Sequence, residues 1–122
     1  MTSKRILVAD DDDQILSMLT LSLNSLGFDV TCAEDGQIFF NKAVTEDFDL
    51  IITDIKMPNW NGDESIFGLN LIDNKVKIIV ISGFIEEKLK RELSNYKNII
   101  NIYRKPFNIL DVLKKVKETL KY

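Results

Sequence analysis

Apolar and polar residues fall into short alternating blocks along this chain, and the blocks carry two different periods. Arg5–Ala9 (RILVA) is a brief apolar run, predicted as a buried strand, and it ends in four aspartates, Asp10–Asp13. Ile15, Leu16, Leu19, Leu23 and Leu26 then recur at helical spacing. Asp12 or Asp13 suits the N-cap of that helix, and Gly27 suits the position just past its end. Phe28–Ala33 reads as a second strand, Glu34-Asp35-Gly36 as a turn, and Gln37–Thr45 as a helix burying Ile38, Phe39 and Val44. Leu50–Thr53 is a third strand that stops at Asp54, after which Met57-Pro58 and Asn59–Gly62 break regular structure. Asp63–Ile72 is a third helix with Ile66, Leu69 and Ile72 inward, ended by Asp73-Asn74. Val76–Ile81 is a strongly apolar fourth strand closed by Ser82-Gly83. Glu86–Asn95 is a charged helix with a narrow apolar face, Leu89 and Leu93. Asn98–Tyr103 is the fifth strand. Asn108 can cap a last helix whose apolar positions are Leu110, Val112, Leu113, Val116 and Leu120.

Five strands alternating with five helices predict an α/β fold, because continuous apolar strands joined by helices form a parallel sheet covered on both faces. The expected architecture is one (βα)5 unit, a doubly wound five-stranded parallel sheet with right-handed crossovers. A chain of 122 residues has room for one domain, and residues 1–122 contain no repeat, linker or low-complexity segment.

Composition narrows the function. No apolar run reaches membrane-spanning length and no signal-peptide core opens the chain, so a cytoplasmic location without a membrane partner is expected. The single cysteine, Cys32, rules out an internal disulfide and lies in an apolar stretch, as a buried inert thiol does. A net charge of −3 argues against direct binding of nucleic acid. The charge is uneven: residues 1–60 carry four basic and eleven acidic side chains, and residues 61–122 carry twelve basic and eight acidic. There is no histidine, which removes histidine-based nucleophilic catalysis and histidine metal sites. Any chemistry must use carboxylates, hydroxyls, lysine or a cation held by oxygen.

Such groups stand at the C-terminal ends of strands: Asp10, Asp11 and Asp12 after the first, Asp54 after the third, Ser82 after the fourth and Lys105 after the fifth. A parallel sheet puts these ends on one edge, where open α/β sheets bind ligands. In the doubly wound order 2-1-3-4-5 the first and third strands are neighbours flanking the switch point. Carboxylates gathered there repel unless one is protonated or a cation fills the gap. Oxygen ligands beside an open loop suit Mg²⁺, with the backbone carbonyl of Lys56 as a further candidate ligand. Ser82 and Lys105 facing this point would stabilise a transferring phosphoryl group, and the Asp54 carboxylate would be its acceptor. Each group alone has an ordinary reading: the aspartate run as a capping turn, Met57-Pro58 as a turn, Ser82 and Lys105 as surface residues. Their joint placement favours the chemical one.

Four segments, ILVADDD (Ile6–Asp12), DIKMPNWNG (Asp54–Gly62), ISG (Ile81–Gly83) and KPF (Lys105–Phe107), appear in this order. Through them nearly the whole chain resembles the receiver domain of two-component response regulators, a flavodoxin-like fold. The resemblance implies Asp54 as phosphoacceptor, and Asp10 and Asp11 as the acidic Mg²⁺ site with the Lys56 carbonyl. It implies Ser82 as the switch hydroxyl, Lys105 as the phosphoryl-binding cation, and a cis Lys105-Pro106 bond. It implies a phosphorelay role, with phosphate received from a sensor histidine kinase or a histidine phosphotransfer protein. The output surface it implies is the fourth helix, fifth strand and fifth helix, meeting a protein target. The expected enzymology is limited to the domain's own phosphorylation and dephosphorylation. With no output domain following, the chain would act as a single-domain regulator, a relay component or a piece of a longer protein. One position departs from the family: three residues before the lysine, where an aromatic switch residue often stands, is Ile102. Tyr103 is one place later, on the opposite face if the strand alternates.

Other classes fit less well. An aspartyl-phosphate phosphatase would carry a second aspartate two residues after the nucleophile, and Lys56 is there. A nucleotide or flavin binder needs a glycine-rich first loop, whereas ADDDDQ is acidic and would repel phosphate. A non-phosphorylated interaction module would not need Asp10, Asp11, Asp54, Ser82 and Lys105 together.

Overall fold

The computed structural model describes residues 3–72 and 74–122. Within them the elements run β1 (Arg5–Ala9), α1 (Asp13–Ser25), β2 (Asp29–Ala33), α2 (Gly36–Thr45), β3 (Leu50–Asp54), α3 (Gly62–Leu71), β4 (Lys77–Ser82), α4 (Glu87–Leu93), β5 (Ile99–Arg104) and α5 (Ile109–Leu120). Every strand pairing is parallel, and the sheet order is β2-β1-β3-β4-β5, the doubly wound order expected. Asp73, predicted to help end α3, lies outside the described residues.

The inner residues of the three central strands are apolar because helices cover both of their faces. Leu7, Ile51, Ile78 and Val80 pack with Phe39 and Ala43 of α2, Ile66 and Leu69 of α3, and Leu93 of α4. Ile6, Val8, Leu50, Ile52, Ile79 and Ile81 pack with Leu16, Leu19 and Leu23 of α1 and with Val112 and Val116 of α5. Full burial of each such side chain contributes roughly 1.5–3 kcal/mol. Helices α1 and α5 are capped as the sequence predicts, and α2 is capped from the predicted turn. The Asp12 side chain accepts from the amides of Gln14 and Ile15, Asp35 from Ile38, and Asn108 from Leu110. Gly27 has φ +93°, the left-handed conformation that ends α1.

Some predicted core positions lie outside the core. Ile38 and Val44 are 39% and 41% exposed, because the buried stripe of α2 runs through Gly36, Phe39 and Ala43. Leu110 is exposed, because Val112 and Val116 define the inner face of α5 and Leu110 stands about 200° round the helix from Val112. Ile72, just past α3, is exposed as well. Strand β5 also breaks simple alternation. Ile78 pairs with Ile99 but Ile79 pairs with Asn101, so Ile100 is an extra residue at a bulge. Ile99 and Ile102 therefore pack on the α2–α3–α4 side, and Ile100 and Tyr103 on the α1–α5 side. Tyr103 does face away from Ile102.

The turn after β3 is closed by Gly62, whose N–H donates to the Ile55 carbonyl at 2.6 Å. A Cβ at this position would overlap the Asp54 backbone carbonyl. At Gly83 a Cβ would meet nothing within 4 Å. Gly62→Ala should therefore lower unfolding stability by about 1–3 kcal/mol, read as a shifted urea midpoint. Gly83→Ala should stay within about 0.5 kcal/mol of the parent. Equal effects of the two substitutions would contradict this account of the turn.

Candidate functional site

Parallel register builds the site. Ala9 pairs with Thr53, so Asp10 and Asp54 leave their strands side by side, and Asp54 itself pairs with Ile81. Ser82 pairs with Arg104, which brings Lys105 over the end of β4. The Lys105 amide donates to the Ser82 carbonyl at 2.8 Å, and the Lys105-Pro106 bond is cis.

Three carboxylates converge at this edge: one oxygen each from Asp10, Asp11 and Asp54 lies within 4.8 Å of the others. Asp10 and Asp54 are buried and Asp11 is exposed, so the cluster opens to solvent on one side. Lys105 Nζ is 2.8 Å from Asp54 Oδ2 and 3.0 Å from Asp10 Oδ2. The remaining carboxylate oxygens are held by backbone: the Asp12 amide donates to Asp10 Oδ1 at 2.9 Å, and the Ile55 amide to Asp54 Oδ1 at 2.6 Å. Asp10 Oδ2 is fully buried and, despite the nearby ammonium, receives no well-aligned hydrogen bond. Burial pushes the Asp10 carboxyl above the usual carboxylate range; the Asp12 amide and Lys105 oppose this, and the Asp54 charge adds to it. Lys105 is partly buried, which disfavours its charge, but its hydrogen bond to Asp54 and its ion pair with Asp10 outweigh that and hold its pKa above the ordinary lysine value.

This donor set can hold a metal ion. It is all oxygen, it carries more negative charge than one lysine offsets, and it includes an acceptor without a donor. Hard divalent cations choose such ligands.

The sequence-predicted residues thus divide. Asp10, Asp11, Asp54 and Lys105 come together. Ser82 is buried at the neighbouring strand end with its hydroxyl donating to the Phe84 carbonyl at 3.1 Å. Lys56 stands in the loop after Asp54 with its side chain exposed. The sequence did not reveal the residues that clamp this loop. Asn59, at φ 71°, donates to Asp35 Oδ2 at 2.7 Å, and Ser65 Oγ donates to the Gly36 carbonyl at 2.9 Å. Gly36 lies so close to the Trp60 carbonyl that a side chain there would overlap it. Asn59 and the glycines in turn positions were the available signals.

The family description "Response regulator receiver domain" matches residues 6–117. The chain belongs to this family. The receiver is 32% identical over 117 residues to the response regulator receiver protein CpdR of Brucella abortus, covering 96% of this chain and 97% of that protein. A CheY-like receiver domain protein from Methanospirillum hungatei superposes with a TM-score of 0.91 at 30% identity, covering 98% of this chain and 95% of the other. The response regulator TrrA of Thermotoga maritima, solved in complex with Mg²⁺ and BeF, superposes with a TM-score of 0.81 at 30% identity, covering 95% and 98%. Among longer curated transcriptional regulators that it matches, the receiver spans 36%, 49% or 51% of their length. Receiver domains are signalling modules of two-component systems and not enzymes in the ordinary sense.

The electrostatics of the cluster give a stability prediction for metal-free protein. A carboxyl whose folded pKa is raised binds its proton more tightly folded than unfolded, so its contribution to stability falls as pH rises through that window. Asp10→Asn removes this penalty and keeps an oxygen for the Asp12 amide. In EDTA at neutral pH it should raise Tm by on the order of a few degrees. The gain should vanish below the carboxylate range, where Asp10 is neutral in both states. A lower Tm for Asp10→Asn in EDTA at pH 7 would refute the strain assigned to Asp10.

Proposed function

We propose that residues 1–122 form a single receiver domain that is phosphorylated on Asp54 and switches a protein target. The observation that carries this reading is the buried Asp54 carboxylate, 2.8 Å from Lys105 and beside the carboxylates of Asp10 and Asp11. The donor is a phosphohistidine of a sensor kinase or phosphotransfer protein. Its N–P bond breaks as a P–O bond to an Asp54 oxygen forms. Asp10, Asp11, Asp54 and the Lys56 carbonyl would hold Mg²⁺, which offsets the charge of the incoming phosphoryl group. Lys105 then exchanges its ion pair with Asp54 for one to the phosphoryl oxygens, and Ser82 turns its hydroxyl from the Phe84 carbonyl toward them. The domain catalyses only this transfer and the later hydrolysis, in which water takes the phosphoryl group as inorganic phosphate and the Asp54 carboxylate is restored. No described helix is long and apolar enough to cross a membrane, which is consistent with the cytoplasmic location where such kinases present their phosphohistidine.

Intact-mass analysis with a small phosphodonor tests the acceptor. One phosphoryl group should add in Mg²⁺, and none in EDTA or in Asp54→Ala. Asp11→Ala should weaken Mg²⁺ binding by at least about tenfold, roughly 1.4 kcal/mol. Undiminished labelling of Asp54→Ala would overturn the assignment.

The output surface proposed is α4, β5 and α5, whose Lys88, Lys90, Arg91, Lys114 and Lys115 suit an acidic partner. Amide shifts with and without beryllofluoride should spread from Asp54 through Ser82 to 83–95 and 99–105. Changes confined to the acidic loops, or centred on α1 and α2, would exclude this surface.

A further inference from the structure

Helix α3 packs on α2, and α4 reaches the core through the buried Leu93 with Leu89 partly buried beside it. Between α3 and α4 runs a groove of about 380 Å³, with Phe67, Leu89, Leu93 and Tyr96 as its apolar walls. Its polar lining is entirely acidic: Asp63, Glu64 and Glu92. Among the described residues none of these three has an ion-pair partner. Asp63 Oδ1 is a buried oxygen without any hydrogen bond. Burial, with Glu64 and Glu92 adding to it, pushes the Asp63 carboxyl upward. Asp63, Leu89 and Glu92 also line an adjoining space of about 300 Å³, which Lys56, Phe84, Glu86 and Lys88 border.

The outer face of α3 is also unusual for a surface helix. Phe67 is 44% exposed, and Leu71 and Ile72 beyond it are exposed too. Clustered apolar side chains at a surface mark an interaction site. Apolar walls beneath unpaired acids ask for a ligand that brings both methylenes and positive charge. Arginine and lysine on an amphipathic helix supply both, since their stems lie on apolar surface while the head group reaches a carboxylate. A cation delivered to Asp63 would also satisfy its orphaned oxygen.

We propose that the α3–α4 groove docks a basic, apolar-faced helical segment of a partner protein. The site is separate from the basic α4–β5–α5 surface and selects the opposite charge. Charge complementarity decides the occupant: an acidic segment would meet three unpaired carboxylates.

The test uses the full chain in saturating Mg²⁺, so that Asp10, Asp11 and Asp54 do not compete for the probe. The probe is a synthetic helical peptide with arginine and leucine on one face, and its control replaces each arginine with glutamate. Amide shifts should cluster at Asp63–Phe67 and Leu89–Tyr96. Glu92→Lys, an exposed position, should weaken binding on the order of tenfold, about 1.4 kcal/mol, and Glu92→Gln by less. Both variants should still gain the phosphoryl mass at Asp54, which separates this proposal from the phosphorylation reading. The proposal is overturned if the glutamate peptide binds as well, if Glu92→Lys binds the arginine peptide unchanged, or if the shifts centre on the acidic loops or on β5 and α5. Sedimentation of the protein alone should show a monomer. Self-association abolished by Glu92→Lys would assign the groove to a second copy and would likewise overturn it.

Discussion

Two buried carboxylates and a third exposed one share one strand edge, and a single ammonium lies between them. This charge imbalance is the constraint on which the rest of the arrangement depends. Lys105 reaches Asp54 from two strands away, crossing the end of β4. That crossing is open because β4 ends in Ser82 and Gly83, which are small. The uneven charge of the chain finds its meaning here. The acidic half contributes β1 and β3, the basic half contributes β5, and the doubly wound order brings their ends to one place. The apolar strands hold the carboxylates together against repulsion. The stability that a neutral residue at Asp10 would add is forgone for a site that can hold positive charge.

The two flanks of Asp54 differ in rigidity. On the α2–α3 side, Gly62 closes on Ile55, Thr53 Oγ1 donates to the Asp54 carbonyl, and Asn59 and Ser65 tie the loop to the start of α2. The Phe40 and Trp60 rings meet edge to face across that junction. On the β4–α4 side, the Ser82 hydroxyl donates to the Phe84 carbonyl and among the described residues has no other partner, Phe84 is 60% exposed, and α4 has seven residues. A change of charge at Asp54 meets more resistance toward α2 than toward α4. Local opening follows the fewest buried contacts.

Most of this was legible in the sequence because the fold rests on continuous apolar strands. RILVA, LIIT and KIIVI could be read directly, and the strand-end residues followed from them. Capping by Asp12 and Asn108 was legible for the same local reason. Ile38, Val44 and Leu110 were misplaced because composition marks a residue as apolar without fixing the rotation of its helix. The bulge at Ile100 has no local signature: both β5 alternatives present isoleucine to either face. Nor could the sequence reveal that Gly62 and Gly36 are needed for close backbone approach, since that depends on residues distant in the chain. The acidic α3–α4 groove was invisible because Asp63, Glu64 and Glu92 read separately as ordinary helix-surface charges.

The bulge bears directly on how the switch is coupled. Ile102 lines a cavity of about 340 Å³ together with Ser82, Phe84, Ile85 and Tyr103. Tyr103 is the nearest ring in sequence, but its hydroxyl accepts from Asn101 and donates to the Asp111 carbonyl, both on the α5 side of the sheet. Turning that ring toward Ser82 would break both of these hydrogen bonds. A β-branched residue at 102 has one strongly restricted torsion and no ring to swing inward. In the proposed switch, the space that Ser82 leaves on turning toward a phosphorylated Asp54 would be closed by the Phe84 segment and the approach of α4. On that reading α4 is the coupling element, and a partner docked in the α3–α4 groove would alter the switch without touching Asp54.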